Sequence, residues 1–161
     1  FQALVALDTD RNGLRRLAPA GYAFTPMLQS LLDRDWTADE FTAAILARKR
    51  VNNIVWRFME RYDLLLTPGA ATAAFPIDSE GPSEIAGRAS PPGGWTPFSF
   101  LANLTGQPAA SVPAGFTAAG LPAALQVIGR HQDDLGVLQA AAGVERALPW
   151  RHRWPEMLHA K

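Results

Sequence analysis

The chain has 161 residues, of which 48% are hydrophobic and 19% charged. That length suits one domain or part of a larger one, and the composition is too apolar for a disordered chain. Lys+Arg and Asp+Glu both number 15, so the balance disfavours a basic nucleic-acid binder and an acidic tail alike. Cysteine is absent, which excludes a disulfide framework, a thiol nucleophile and thiolate zinc sites. No apolar run reaches the roughly 18 residues of a membrane span. Phe1 to Leu7 already reads as core-facing material without a signal-like leader, so the chain is expected to be a piece of something longer.

Residues 1–17 carry an interrupted helical pattern that ends at Pro19-Ala20-Gly21. Thr25-Pro26 predicts a helix cap with proline at the first helical position, followed by Met27, Leu28, Leu31 and Leu32. Asp33 to Trp36 breaks that helix. Thr37-Ala38-Asp39-Glu40 is a capping-box signature, in which Thr and Glu each satisfy an orphan backbone donor. Behind it Phe41, Ala44, Ile45, Val51, Val55, Phe58, Met59 and Tyr62 form one apolar stripe, read as core. Arg48, Lys49, Arg57 and Glu60 fall largely off it.

Asp63 to Pro68 predicts a short buried strand of the parallel type. Residues 69–94 are rich in glycine and proline and read as a long irregular loop, of the kind that forms lids or linkers. Ala109–Pro113 and Ala123–Ile128 predict a β-hairpin with a longish loop. Asp133-Asp134 opens a helix through about Arg146, with charges that suit its dipole. Trp150 to Lys161 is a basic-aromatic tail. The alternation of helices and strands gives an α/β class, a partial mixed sheet with flanking helices.

The chain shows no catalytic constellation of its own. None of the six serines has a Gly-x-Ser-x-Gly setting. Ser111 sits in a predicted strand, where a buried, backbone-bonded hydroxyl is expected. Ser111, His131 and Asp133 can be written down as a triad, but His131 reads better as a surface residue ahead of a helix cap. His131, His152 and His159 lack metal-ligand spacing, and Pro155 weakens a His152–Glu156 pairing, so no metal is expected. Pro91-Pro92-Gly93-Gly94 lacks the lysine and the strand–loop–helix frame of a phosphate loop.

Asn103-Leu104-Thr105-Gly106-Gln107-Pro108-Ala109-Ala110-Ser111-Val112-Pro113-Ala114-Gly115-Phe116 resembles the C-terminal part of the amidase signature family. Gly120-Leu121-Pro122-Ala123-Ala124-Leu125-Gln126-Val127-Ile128-Gly129 is similar to that family's Gly-Leu-Pro-x-Gly-Leu-Gln-x-x-Gly segment, with Ala124 where Gly is usual. Tyr62 to Pro68 resembles its strand ending in Thr-Pro, and Trp95-Thr96-Pro97-Phe98 its aromatic lead. The resemblance covers about residues 37–155, and residues 1–36 match loosely. It implies that all 161 residues are the C-terminal portion of a single amidase domain. It also implies that the catalytic Ser–cis-Ser–Lys triad and its oxyanion loop lie upstream, so no catalytic residue is assigned here. Lys49, between Arg48 and Arg50 without a Ser-rich turn, does not replace the base.

What the resemblance assigns to this chain is sheet, covering helices and part of a substrate funnel. Trp95 and Phe98 are the candidate substrate-binding aromatics, with core packing as the competing role. Asn103 is a candidate third, with capping a turn or bonding a strand as its structural alternative. No cofactor is implied. The expected partners are the N-terminal part of the domain, a small-molecule amide, and a second copy docking through an exposed face of the sheet and the 41–59 stripe. Nucleic acid and membrane are not among them, and the implied compartment is the cytoplasm. Two alternatives stay open: a stand-alone binding module with an amidase-like fold, and part of a glutamyl-tRNA amidotransferase A-type subunit.

Overall fold

A computed structural model of the chain describes residues 1–154; residues 155–161 of the basic-aromatic tail lie outside the described residues, as do Pro155, Glu156 and His159. The chain divides into two compact units, Phe1–Ile54 and Val55–Lys161.

In the first unit, α1 (Gln2–Asp8) and α2 (Arg11–Arg15) divide the interrupted N-terminal pattern. Asp10 caps α2 by accepting from the Gly13 amide at 2.9 Å. A 3₁₀ turn at Ala18–Ala20 ends at Gly21 in the left-handed region. The Thr25 hydroxyl then caps α3 (Pro26–Asp33), accepting from the Leu28 amide at 3.3 Å. Leu4, Ala6 and Leu32 are buried, and the Arg15 guanidinium donates to the Leu32 carbonyl.

α4 (Ala38–Met59) starts at the predicted capping box. The Glu40 amide donates to Thr37 Oγ1 at 3.2 Å, and the Thr37 amide donates to Glu40 Oε2 at 2.9 Å. Arg34 adds an ion pair to Glu40 at 2.5 Å and stacks over Trp36 at 4.2 Å. The Thr37 amide is the main reason that the Glu40 carboxyl is held below its ordinary value of 4.5; the Arg34 guanidinium and the Thr37 hydroxyl add to it. Val55 and Met59 are buried and Phe41, Ala44, Val51 and Phe58 half-buried, as the stripe predicts. Ile45 and Tyr62 are exposed instead, and so are Ile54 and Trp56 off the stripe. The expected bare face is therefore distributed differently on this helix.

The second unit is built on a three-stranded sheet of order β1-β5-β4, from β1 (Leu64–Pro68), β4 (Ala109–Phe116) and β5 (Pro122–Gly129). The hairpin and its junction with the 63–67 strand are as the sequence predicts, and the mixture of helices and sheet is α/β. The parallel character read into Leu64–Leu66 is corrected: β1 runs antiparallel to β5, with Leu66 opposite Val127. Leu66 is 54% exposed, because an edge strand is covered on fewer sides than a central parallel one.

Strand alternation sends Val127 and Val112 to one face, where α6 (Asp134–Ala147) packs Val137 and Ala141 against them. Val127 and Ile128 are fully buried, contributing about 1.5–3 kcal/mol each by area. Gly129 is what lets α6 approach: a Cβ there would stand 2.4 Å from Val137 Cγ2. Asp133 caps α6 through the Gly136 amide at 3.0 Å. Leu135 and Leu138 on α6 remain exposed.

The 69–94 loop is less irregular than its composition predicts. It contains a small hairpin, β2 (Glu84–Ile85) with β3 (Arg88–Ala89). Its turn residues Ala86 and Gly87 both have positive φ, 51° and 75°, as a type I′ turn requires.

Candidate functional site

α5 (Ser99–Thr105), a helix that the sequence pattern does not reveal, carries the link between loop and sheet. It ends at Gly106, in the left-handed region at φ 70°. The Thr105 hydroxyl donates to Gln107 Oε1 at 2.9 Å, and Gln107 Nε2 donates to the Gly129 carbonyl at 3.1 Å. The Thr-Gly-Gln-Pro run is thus a helix stop bolted to the end of β5.

Trp95 stands just before α5 and is half-buried. Its Nε1 donates to the Glu80 carbonyl at 3.1 Å, and its ring meets Phe75 edge-on at 5.2 Å. Gly81, at φ 137°, leaves no room for a Cβ, which would lie 2.7 Å from Trp95 Cδ1. Trp95 therefore fastens the 69–94 loop. Phe98, half-buried at the N-terminus of α5, turns its carbonyl to Gln126 Nε2 at 3.1 Å. Asn103 lies inside α5 with an exposed side chain that makes no hydrogen bond among the described residues. Capping a turn and bonding a strand are both corrected for Asn103, since α5 places it on a helix surface.

Gln126 is a candidate site residue that lies within the Gly-Leu-Pro-x-Gly-Leu-Gln-x-x-Gly segment but was not among those put forward from the sequence. It is buried on the sheet face opposite α6, and its Nε2 donates both to the Phe98 carbonyl and to Thr67 Oγ1 at 3.2 Å. One polar residue inside the apolar run Ala123–Ile128 was the available signal, because a buried amide must be bonded. Ser111 sits directly opposite Gln126 on β4. The expectation of a buried, backbone-bonded Ser111 is corrected: it is exposed, and its hydroxyl has no hydrogen bond among the described residues. Ala124 keeps out of the left-handed region, so its methyl is tolerated where Gly is usual.

The Ser111–His131–Asp133 arrangement is not assembled. His131 lies in the turn beyond the end of β5, with its ring beside Gly106 ahead of β4, and Asp133 is occupied as a helix cap. Among the described residues, no serine hydroxyl is hydrogen-bonded to a histidine, lysine or carboxylate, and no group of three metal-ligating side chains gathers. His152 is exposed. No helix among the described residues is long and apolar enough to cross a membrane. The arrangement can shape and hydrogen-bond a ligand, and among the described residues none of its serine hydroxyls is paired with a base.

Residues 19–138 match the family model described as Amidase. The match starts upstream of the motifs at 37 and stops short of 155. An acylamidase of Rhodococcus erythropolis is 40% identical over 100 residues, covering 61% of this chain and 21% of the relative. A glutamyl-tRNA(Gln) amidotransferase subunit from Thermodesulfovibrio yellowstonii is 34% identical over 108 residues, 67% of this chain and 21% of the relative. The crystal structure of a bacterial aryl acylamidase of the amidase signature family superposes with a TM-score of 0.79 at 34% identity. That superposition covers 94% of this chain and 33% of the other. The matched part of the chain covers about a fifth of the length of these curated relatives.

Proposed function

The chain belongs to the amidase family, and we propose that it supplies the C-terminal sheet and substrate-pocket portion of an amide-bond hydrolase, without the chemistry itself. In this proposal the Ser–cis-Ser–Lys triad and the oxyanion loop are carried by chain upstream of Phe1. The missing N-terminal part is then the principal partner, a small-molecule amide the substrate and the cytoplasm the compartment. The bare apolar side chains of the second unit, Leu66, Leu135 and Leu138, are where that part or a second copy would pack.

One observation carries the proposal. The segment ahead of α5 ties loop to sheet, Trp95 bonding the Glu80 carbonyl and the Phe98 carbonyl accepting from Gln126, while no described serine hydroxyl there has a base. Aromatic area beside the sheet would select the acyl or amine group by shape. Asn103, exposed on the same helix as Phe98's carbonyl end, would meet the ligand at the rim.

The intact mass of the protein made by the source cells tests this. A parent about three times longer, with a Gly/Ser-rich segment and a lysine upstream, is the expected result. A product of this length from its own reading frame would contradict it and favour the stand-alone module.

A further inference from the structure

On the face of the sheet opposite α6, two polar groups on neighbouring strands face the same way with capacity unspent. The Gln126 carboxamide is fixed in orientation, because its Nε2 donates to the Phe98 carbonyl, which can only accept. Both of its N–H groups are used, by Phe98 and Thr67. Its Oε1 accepts nothing among the described residues, although the residue is only 8% exposed. Thr67 cannot serve it, since the Thr67 hydroxyl donates to the Pro68 carbonyl at 3.2 Å.

Directly across the strand pair is Ser111, exposed and with its hydroxyl proton uncommitted. Cross-strand neighbours of this kind stand about 4.5–5.5 Å apart at Cβ. Gly69 keeps the space beside them open. A Cβ at Gly69 would lie 3.2 Å from Ser111 Oγ and 2.9 Å from the Ala124 methyl. The Gly69 amide is bonded to the Ala124 carbonyl at 2.8 Å, so this wall is held by backbone.

We propose that Gln126 Oε1 and the Ser111 hydroxyl form a clamp for the edge of a primary carboxamide, alongside the segment that bears Trp95 and Phe98. The clamp rests on the pocket role proposed above and narrows it to a ligand class. An acceptor beside a donor needs a ligand with donor and acceptor on one edge. A primary carboxamide has one N–H syn to its carbonyl and provides that edge. A trans N-substituted amide turns its N–H away from the carbonyl, and a tertiary amide has none. Gln126 Oε1 takes the ligand N–H, and Ser111 gives its proton to the ligand carbonyl. No bond is made or broken.

Titration of the ¹⁵N-labelled full chain with benzamide, N-methylbenzamide and N,N-dimethylbenzamide tests the clamp by NMR. Benzamide should shift the Gln126 side-chain NH₂ and the Ser111 amide signals, and bind about tenfold more tightly than the other two. Ser111→Ala, at an exposed position, should keep the spectrum of the fold and bring benzamide to within roughly threefold of N-methylbenzamide. Equal binding of all three overturns the clamp but leaves the aromatic pocket standing. A benzamide preference that survives in Ser111→Ala also overturns it. Failure of all three to shift any signal of this face overturns the clamp and the pocket role together.

Discussion

Gly129 shows how a motif residue can be dictated by packing. A methyl there meets Val137 Cγ2 at 2.4 Å, and Val137 belongs to the buried cluster with Val112, Val127 and Ala141. Gly129→Ala should therefore destabilise the second unit by about 1–3 kcal/mol, the usual cost of overpacking. Adding Val137→Ala should return part of that loss, although Val137→Ala alone also destabilises. Urea unfolding of the three variants measures the coupling, and strictly additive losses would show that the contact is not the cause. Ser111 is a residue at which strand membership was legible and environment was not. Its strand follows from local pattern, but which face of that strand is bare depends on α5 and the loop, and neither leaves a mark on residue 111.

Among the elements, the capping box was legible to the residue, because Thr37 and Glu40 bond within one turn and need nothing from elsewhere. The hairpin was legible for the same reason of local pattern. α5 was not, since seven residues opened by Phe98, without a capping side chain, offer no periodicity to detect. The β2–β3 hairpin was hidden by having two residues per strand and an alanine in a left-handed turn position. The antiparallel pairing of β1 is non-local, so the composition of Leu64–Leu66 could not reveal it.

The capping box also has a pH signature. The Glu40 carboxyl is depressed in the folded chain, so its contribution is fully present above the ordinary value of 4.5 and is lost as pH falls through the lower folded value. Helicity of the chain followed below pH 5 should decline with a component that Glu40→Gln removes. Thr37→Ala should cost about 1 kcal/mol at neutral pH and reduce that acid component too. An acid profile identical in Glu40→Gln would show that the Thr37 and Arg34 bonds do not hold the carboxylate.

At the scale of the whole molecule, the family was legible because two motif segments kept their order and spacing around the hairpin. The proposed pocket was only half legible. Trp95 and Phe98 announce themselves as aromatics, whereas Gln126 acts through partners at Thr67 and Phe98, distant in sequence. Polar groups that gather without a nucleophile–base pair can bind and orient, but binding alone does not stabilise a transition state. A nucleophile, a base and oxyanion donors together supply most of a hydrolase's rate, and losing them leaves little.

The most direct measurement is therefore turnover by the purified chain on a panel of aryl amides and esters, run beside Ser111→Ala. The account predicts hydrolysis no faster than buffer for both proteins. Turnover well above buffer that disappears in Ser111→Ala would contradict it, by placing a working nucleophile on β4 where no base has been found.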